Sequence, residues 1–269
     1  MTTVAVCVGD NCIDRYLPPI GRDFVGGNAL NVAVHLQQAE ILAAYVGVVG
    51  DDAEGRFISE GLRRSGVDTS HLEVLSGKTG VTEIRLTSNN DREFVSEDMG
   101  VQNQFKLDSA TLSFIARHKL VHNTLAGGTE SYLATFRDAG LTVSFDYGEQ
   151  TGSPLVDRTI SLVDLAFFSW PRRSVAEAEA FVRQIAKRGP HLVIVTLGEL
   201  GSLAWEDQAY YQPSLPTHLL DTLGAGDTFI GIFLAGWLKG KSRPEALYDA
   251  ALAAAHTCTH WGAWLQESQ

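Results

Sequence analysis

The sequence predicts an α/β fold: a doubly wound, mostly parallel sheet covered by helices on both faces, with a small β-lid. Two patterns carry this. Short apolar runs rich in β-branched and aromatic residues alternate with segments of helical period, which implies parallel strands joined by helical crossovers. The stretch 79–98 instead alternates apolar and polar residues, as a hairpin does. Composition sets the scale. A chain of 269 residues, 45% hydrophobic and 20% charged, buries a core without disulfide or metal staples and is too apolar to stay disordered. Residues 1–269 read as a single domain, with the lid formed by about 12–24 and 79–98.

In chain order, 4–8 (VAVCV) is the first buried strand, and 12–24, polar and Pro-containing, interrupts the pattern. A strand at 44–49 (AYVGVV) leads into a helix capped by Asp51. Within 79–98, Val81, Ile84 and Leu86, then Phe94 and Val95, flank the turn-rich Ser88-Asn-Asn-Asp91. One apolar face of this hairpin must be covered by a ligand, a partner chain or the main domain; it reads as a small lid over the sheet edge, with a homodimer through the lids as one way to cover it. Asp108 and Thr129 suit as caps for the next helices, and 121–125, 141–145, 165–168 and 192–196 read as strands. Ser174-Val-Ala-Glu177 is a capping box opening a helix that runs to about Arg188, where Gly189-Pro190 stops it.

With 21 Lys and Arg against 32 Asp and Glu the formal charge is −11, which argues against nucleic acid and anionic membranes as partners. Cys7, Cys12 and Cys258 are odd in number and without metal-ligand spacing, so a reducing compartment is expected. The start lacks the basic residues of a signal peptide, and the uncharged run 228–238 is too short to span a bilayer. A cytoplasmic location follows as the expectation.

The chemistry concentrates at 221–229, DTLGAGDTF, ahead of a helix that is apolar nearly all round. Gly224-Ala225-Gly226 leaves the helix's first N–H groups unshielded, and with the macrodipole they make an anion site. Asp227 stands in that first turn, either as a favourable cap or as a general base for a group attacking the anion. A second glycine site, Gly26-Gly27-Asn28-Ala29-Leu30-Asn31, opens another helix. Its two asparagines share one face and suit sugar hydroxyls, or simply cap the helix. Thr196-Leu-Gly-Glu-Leu-Gly-Ser202 follows the strongest strand, where open α/β sheets bind ligands, although a plain hairpin turn fits it as well. His122 and Asn123 sit at a strand end, facing either the core or the substrate.

In this order the motifs resemble those of the ribokinase (PfkB-type) carbohydrate kinases, and the likeness spans residues 4 to about 264. It implies a ribokinase-like doubly wound domain with a β-lid, ATP and Mg²⁺ as cofactors with room for a monovalent cation, and a small sugar as partner. It implies Asp227 as the base deprotonating a sugar hydroxyl, with Gly224, Ala225 and Gly226 as the oxyanion hole. Thr196 and Gly198, with Gly201, would line the ATP site. Asp14 would bind substrate hydroxyls beside Gly26, Gly27, Asn28 and Asn31. Arg92 resembles the arginine that some members place on the γ-phosphate, against the alternative of a solvated side chain.

The chain departs from the family where many members carry Asn-x-x-Glu; here Ser169-Trp170-Pro171-Arg172 stands, so the metal site is unassigned, with Glu177 and Glu199 as the nearby carboxylates. The short Asp14–Gly26 spacing, the Asn90-Asp-Arg-Glu-Phe94 lid tip and the closing Trp261-Gly-Ala-Trp264 look most like the fructoselysine 6-kinase branch. That implies a ketose bearing an amino-acid arm, phosphorylated on a primary hydroxyl, with Asp10, Glu97 and Asp98 near its ammonium group. The competing readings are a simple ketose or pentose kinase, a nucleoside kinase using Tyr16 and Phe94 as an aromatic clamp, and a non-catalytic sugar-binding regulator.

Overall fold

A computed structural model of the chain describes residues 4–86 and 92–266, so the expected hairpin tip at 88–91 lies outside it. Ala5–Val8 (β1), Cys12–Tyr16 (β2) and Arg22–Gly26 (β3) precede the helix Asn28–Gln38 (α1). Ala43–Gly50 (β4), Ala53–Arg64 (α2), Asp68–Leu75 (β5), Val81–Leu86 (β6) and Arg92–Asp98 (β7) follow. The second half runs Ser109–Ile115 (α3), Leu120–Thr124 (β8), Leu133–Asp138 (α4), Thr142–Asp146 (β9), Pro154–Thr159 (α5), Leu165–Ser169 (β10) and Val175–Ala186 (α6). Leu192–Thr196 (β11), Ser202–Trp205 (β12), Ala209–Gln212 (β13), Ala225–Leu238 (α7) and Arg243–Thr257 (α8) complete it.

Among the described residues the main sheet has the order β13-β12-β11-β10-β9-β8-β1-β4-β5, antiparallel only at β11–β12 and β12–β13. The strands β1, β4, β10 and β11 are almost wholly buried and largely apolar because helices cover both faces, while the edge strand β5 is polar and half-buried. On one side Cys7, Tyr45 and Phe167 pack beneath α1, α2, α7 and α8, through residues such as Leu30, Ile58, Phe233 and Leu247. On the other, Val6, Val143, Phe145 and Tyr147 pack beneath α3 to α6. The chain leaves β1 toward β4 and returns on its opposite side as β8, so β1 and β8 flank the switch point whose carboxyl end is the usual ligand crevice of such sheets.

The start signals resolve individually. Ser174 and Glu177 form the expected capping box, and Asp108 accepts the Thr111 N–H at the head of α3. The cap of α2 is Asp52, not Asp51; its carboxylate also accepts from Thr79, while Asp51 reaches the Gly77 N–H. Thr129 caps no helix with its side chain, because its hydroxyl donates to Asn123 Oδ1 instead.

The stretch 12–24 supplies strands to a second sheet of order β3-β2-β6-β7. Directly paired residues share a face. The pairs Asp14–Thr82, Tyr16–Ile84, Ile84–Phe94 and Leu86–Arg92 therefore place Asp14, Tyr16, Thr82, Ile84, Phe94 and Arg92 on one side. From the other side Ile13 and Val25 enter the main core beside Ile58, Leu62 and Trp264.

The apolar helix α7 is pressed against α1 so closely that a Cβ on Gly231 would lie 2.6 Å from His35 Cβ. Neither packed helix can yield there without moving others. Gly231→Ala is therefore expected to cost about 1–3 kcal/mol. Urea unfolding should show a lower midpoint with an unchanged slope.

Candidate active site

The carboxyl ends of β1, β8 and β9 meet the starts of α1 and α7 at the switch point. Asp10, just after β1, accepts the N–H groups of Asn28 (2.6 Å) and Ala29 (3.3 Å) and the Thr124 hydroxyl. This carboxylate bridges the switch and neutralises the positive end of α1.

Asp227 is 8% exposed in the first turn of α7. Its Oδ2 accepts the Asn31 side-chain N–H at 2.8 Å, and Oδ1 has no protein partner among the described residues. The Trp264 indole donates to Asn31 Oδ1 (3.2 Å), which fixes the amide's orientation and aims its NH₂ at the carboxylate. Burial pushes Asp227 well above the ordinary carboxylate range; the Asn31 hydrogen bond opposes this, while the charges of Asp146, Asp10 and Asp14 add to it.

Gly224 caps α7 at φ 73°, a conformation that disfavours side chains, and a Cβ there would lie 2.2 Å from that of Ala263. The Ala225 N–H is spent on the Thr222 carbonyl at 3.3 Å. Those of Gly226 and Asp227 have no acceptor among the described residues, and nothing lies within 4 Å of a Cβ placed on Gly226. Two bare, positively polarised amides, those of Gly226 and Asp227, thus open α7, and of the expected set the Ala225 amide is already engaged.

Asp14 is 5% exposed on the inner face of the small sheet. Its Oδ2 occupies the space a Gly26 Cβ would need, at 1.9 Å, which explains the small residue there. Among the described residues its one hydrogen bond is from the Cys12 thiol at 3.4 Å, and burial pushes its pKa up to about 7. Gly27 caps α1, and Asn28 is exposed at the mouth of the crevice. Asn31 faces Asp227 rather than open space.

Arg92 reaches across from the small sheet: its Nη2 donates to the Thr222 hydroxyl, and its Nε lies 3.8 Å from Asp221 Oδ1. Asp221, 4% exposed, also accepts from the Tyr16 hydroxyl (2.5 Å), Leu223 N–H (3.0 Å) and Gly262 N–H (3.2 Å). Tyr16 is 1% exposed and edge-on to Phe24 and Trp261, so it cannot clamp a nucleobase.

At the far end of the crevice Thr196 ends β11. Gly198 and Gly201 shape the turn into β12, closed by the Leu197 N–H donating to the Gly201 carbonyl at 2.8 Å. Glu199 is exposed on that turn, and Glu177 is engaged by Ser174 and Arg173. Among the described residues no group of three or more His, Cys, Asp or Glu is arranged to hold a metal. His122 is fully buried, which makes it a core residue; its Nδ1 lies 2.9 Å from the Ser144 hydroxyl and its Nε2 has no partner among the described residues. Asn123 is likewise buried.

Four participants carried no signal strong enough to single them out by role: Asp146, Asp221, Tyr16 and Trp264. Asp146 ends β9 with a single partner among the described residues, the Gly148 N–H at 2.9 Å, and burial pushes it up to about 6. Its position at a strand's carboxyl end was the one available clue.

Unspent amides at a helix start attract an anion, and a carboxylate beside them is repelled by that anion unless it removes a proton from the attacking group. A doubly wound fold with this arrangement defines the class of small-molecule phosphotransferases. The pfkB family carbohydrate kinase description matches residues 19–267, and the chain belongs to that family. It is an ATP-dependent carbohydrate kinase.

The chain is 37% identical over 265 residues to the fructoselysine 6-kinases of Shigella flexneri and Escherichia coli, covering 98% of this chain and all of each relative. It is 33% identical to the fructosamine kinase FrlD of Bacillus subtilis, covering 96% of this chain and 92% of that one. In fold it matches the ribokinase of Arabidopsis thaliana complexed with ribose and ATP, with a TM-score of 0.87 at 24% identity, covering 98% and 95% of the two chains. No helix among the described residues is long and apolar enough to cross a membrane.

The state of Asp14 can be tested through stability. Its folded value, about 7, lies above the unfolded 3.8, so the folded protein holds the extra proton between those values and loses stability as pH rises through them. Asp14→Asn removes this penalty. Thermal melts of the ligand-free protein should show the variant gaining on wild type from about pH 4 to 7 and holding the gain above that.

Proposed function

We propose that this kinase phosphorylates fructoselysine at its primary 6-hydroxyl, with Asp227 as the base. The observation that carries the chemistry is the Asp227 carboxylate, held through one oxygen by Asn31 and bare at the other, beside the unpartnered N–H groups that open α7. The similarity to fructoselysine 6-kinases along the whole chain supports the choice of sugar.

In this reading Asp14 binds sugar hydroxyls, which supply the donors its carboxylate lacks, and Gly26, Gly27 and Asn28 wall the sugar. Asp227 Oδ1 takes the proton of the attacking hydroxyl while Asn31, backed by Trp264, keeps the carboxylate from turning away. Gly224 shapes the turn, and the Gly226 and Asp227 amides receive the charge that develops on the transferred phosphoryl oxygens. ATP lies along the crevice toward Thr196, Gly198 and Gly201. Arg92, already beside Thr222, brings positive charge to the phosphate end. The small sheet acts as the lid.

Asp146 is an oxygen donor with one weak claim on it, so it fits a hard cation, and with the nucleotide phosphates it would hold Mg²⁺. That ion, when bound, neutralises charge developing on the phosphoryl group. No comparable donor set singles out a monovalent cation.

Turnover measured across fructose, ribose, fructoselysine, glucoselysine and nucleosides tests the substrate; fructoselysine should have the highest kcat/KM by at least about tenfold. Preference for a nucleoside would overturn the assignment. Asp227→Asn should lower kcat by about 10²–10⁴-fold with little change in the KM for ATP. Because the active base is deprotonated and its free-enzyme pKa is raised, kcat/KM should fall as pH drops, with the acid limb well above the ordinary 3.8.

A further inference from the structure

Three carboxylates are expected near the ammonium of an amino-acid arm, and the structure separates them. Asp10 is committed to the start of α1 and to Thr124. Asp98 accepts the Gly100 N–H at 2.9 Å. Glu97 is exposed and forms no hydrogen bond or ion pair among the described residues.

The strand register brings Glu97 to the sugar site. Asp14 pairs with Thr82, and Thr82 pairs with Glu97. Paired residues project to the same side, so these three form a row across the small sheet, on the face that carries Arg92. Two strand spacings separate the Asp14 and Glu97 backbones by about 10 Å. Exposure rises along the row, from 5% at Asp14 and 9% at Thr82 to the open Glu97. Phe94 lies on the same face, brought there by the irregularity in the β6–β7 pairing between Glu83 and Ile84, and is 62% exposed. The phosphate end of the crevice is at Arg92 and α7, so a substituent on the opposite end of the sugar leaves toward Glu97.

We infer that Phe94 and Glu97 form the subsite for the amino-acid arm, a specificity device that rests on the fructoselysine reading above. The four-carbon stem of the lysine lies against Phe94, and its α-ammonium meets the Glu97 carboxylate. An unpaired exposed carboxylate beside a bare aromatic ring is what an arm of that chemistry requires, and the step across Thr82 matches its length.

The test is steady-state kinetics on fructoselysine and on its Nα-acetyl derivative, which lacks the charge. Wild type should favour the free ammonium by about three- to tenfold in kcat/KM, the range of a partly exposed ion pair. Glu97→Gln should collapse that preference to near unity through KM rather than kcat, and Glu97→Lys should invert it. Phe94→Ala should raise KM for both conjugates alike. A preference unmoved in both Glu97 variants overturns the subsite while leaving the substrate assignment intact. Turnover of neither conjugate by wild type, with fructose still phosphorylated, overturns the fructoselysine reading and the subsite with it. A Phe94→Ala protein that changes sedimentation but not KM assigns this face to a second copy of the chain, which also overturns the subsite.

Discussion

Negative charge without a counter-ion governs this site. Asp10, Asp14 and Asp227 are buried within the crevice, with Asp146 partly buried beside them, and none forms an ion pair with a described lysine or arginine. Asp10 is balanced by the start of α1. The other three are pushed toward their protonated forms, chiefly by burial. Such an arrangement is unfavourable in the empty protein and becomes favourable when hydroxyl donors and cations arrive. The ligand-free protein therefore gives up stability in order to bind, as sites that need unsatisfied groups generally do. It also explains how a chain of formal charge −11 handles an anionic nucleotide: attraction comes locally, from unspent amides and one arginine, not from the surface.

The catalytic carboxylate is positioned by parts distant in sequence. Trp264 orients Asn31, and Asn31 orients Asp227, so the C-terminal segment and α1 together set the base on α7. The same segment returns through Gly262 to Asp221 and through the Ala263 carbonyl, 3.1 Å from His35 Nε2. His35 Nε2 also lies 2.8 Å from the Thr228 hydroxyl, one residue after Asp227. Burial holds that imidazole down to about 4, so it is a neutral structural link at working pH.

Much of this was legible in the sequence where one local rule decided the outcome. The strands β1, β4, β8, β9, β10 and β11 were visible as short runs rich in apolar residues, because burial on both faces favours them, whereas the edge strand β5 was missed, being only half-buried and carrying Asp68, His71 and Glu73. The capping box at Ser174 and the glycine-opened start of α7 were legible for the same reason: their chemistry is complete within a few residues. The stretch 12–24 was assigned to the lid without a strand pattern of its own, since β2 carries Asp14 and Arg15 side by side and holds its place by pairing with the distant β6. Asp51 and Asp52 are equally good caps on paper, and Thr79, far along the chain, makes Asp52 the one that serves. Asp146, Tyr16 and Asp221 were hidden because their roles exist only after β9, the small sheet and the loop before α7 converge.

The link between the small sheet and α7 is uneven in a way that bears on motion. Asp221 receives one hydrogen bond from the small sheet, through Tyr16, and two from backbone amides near α7, beside the looser Arg92 pair at 3.8 Å. Three donors are enough to satisfy a buried carboxylate. If Arg92 turned toward a phosphate, Asp221 would still be satisfied, and no buried charge would be left stranded. Tyr16 has no such freedom: its hydroxyl is enclosed with Asp221, and its ring is packed against Phe24 and Trp261. When Arg92 leaves Thr222 and Asp221 for a ligand, the tyrosine thus keeps the small sheet's hold on the helix start.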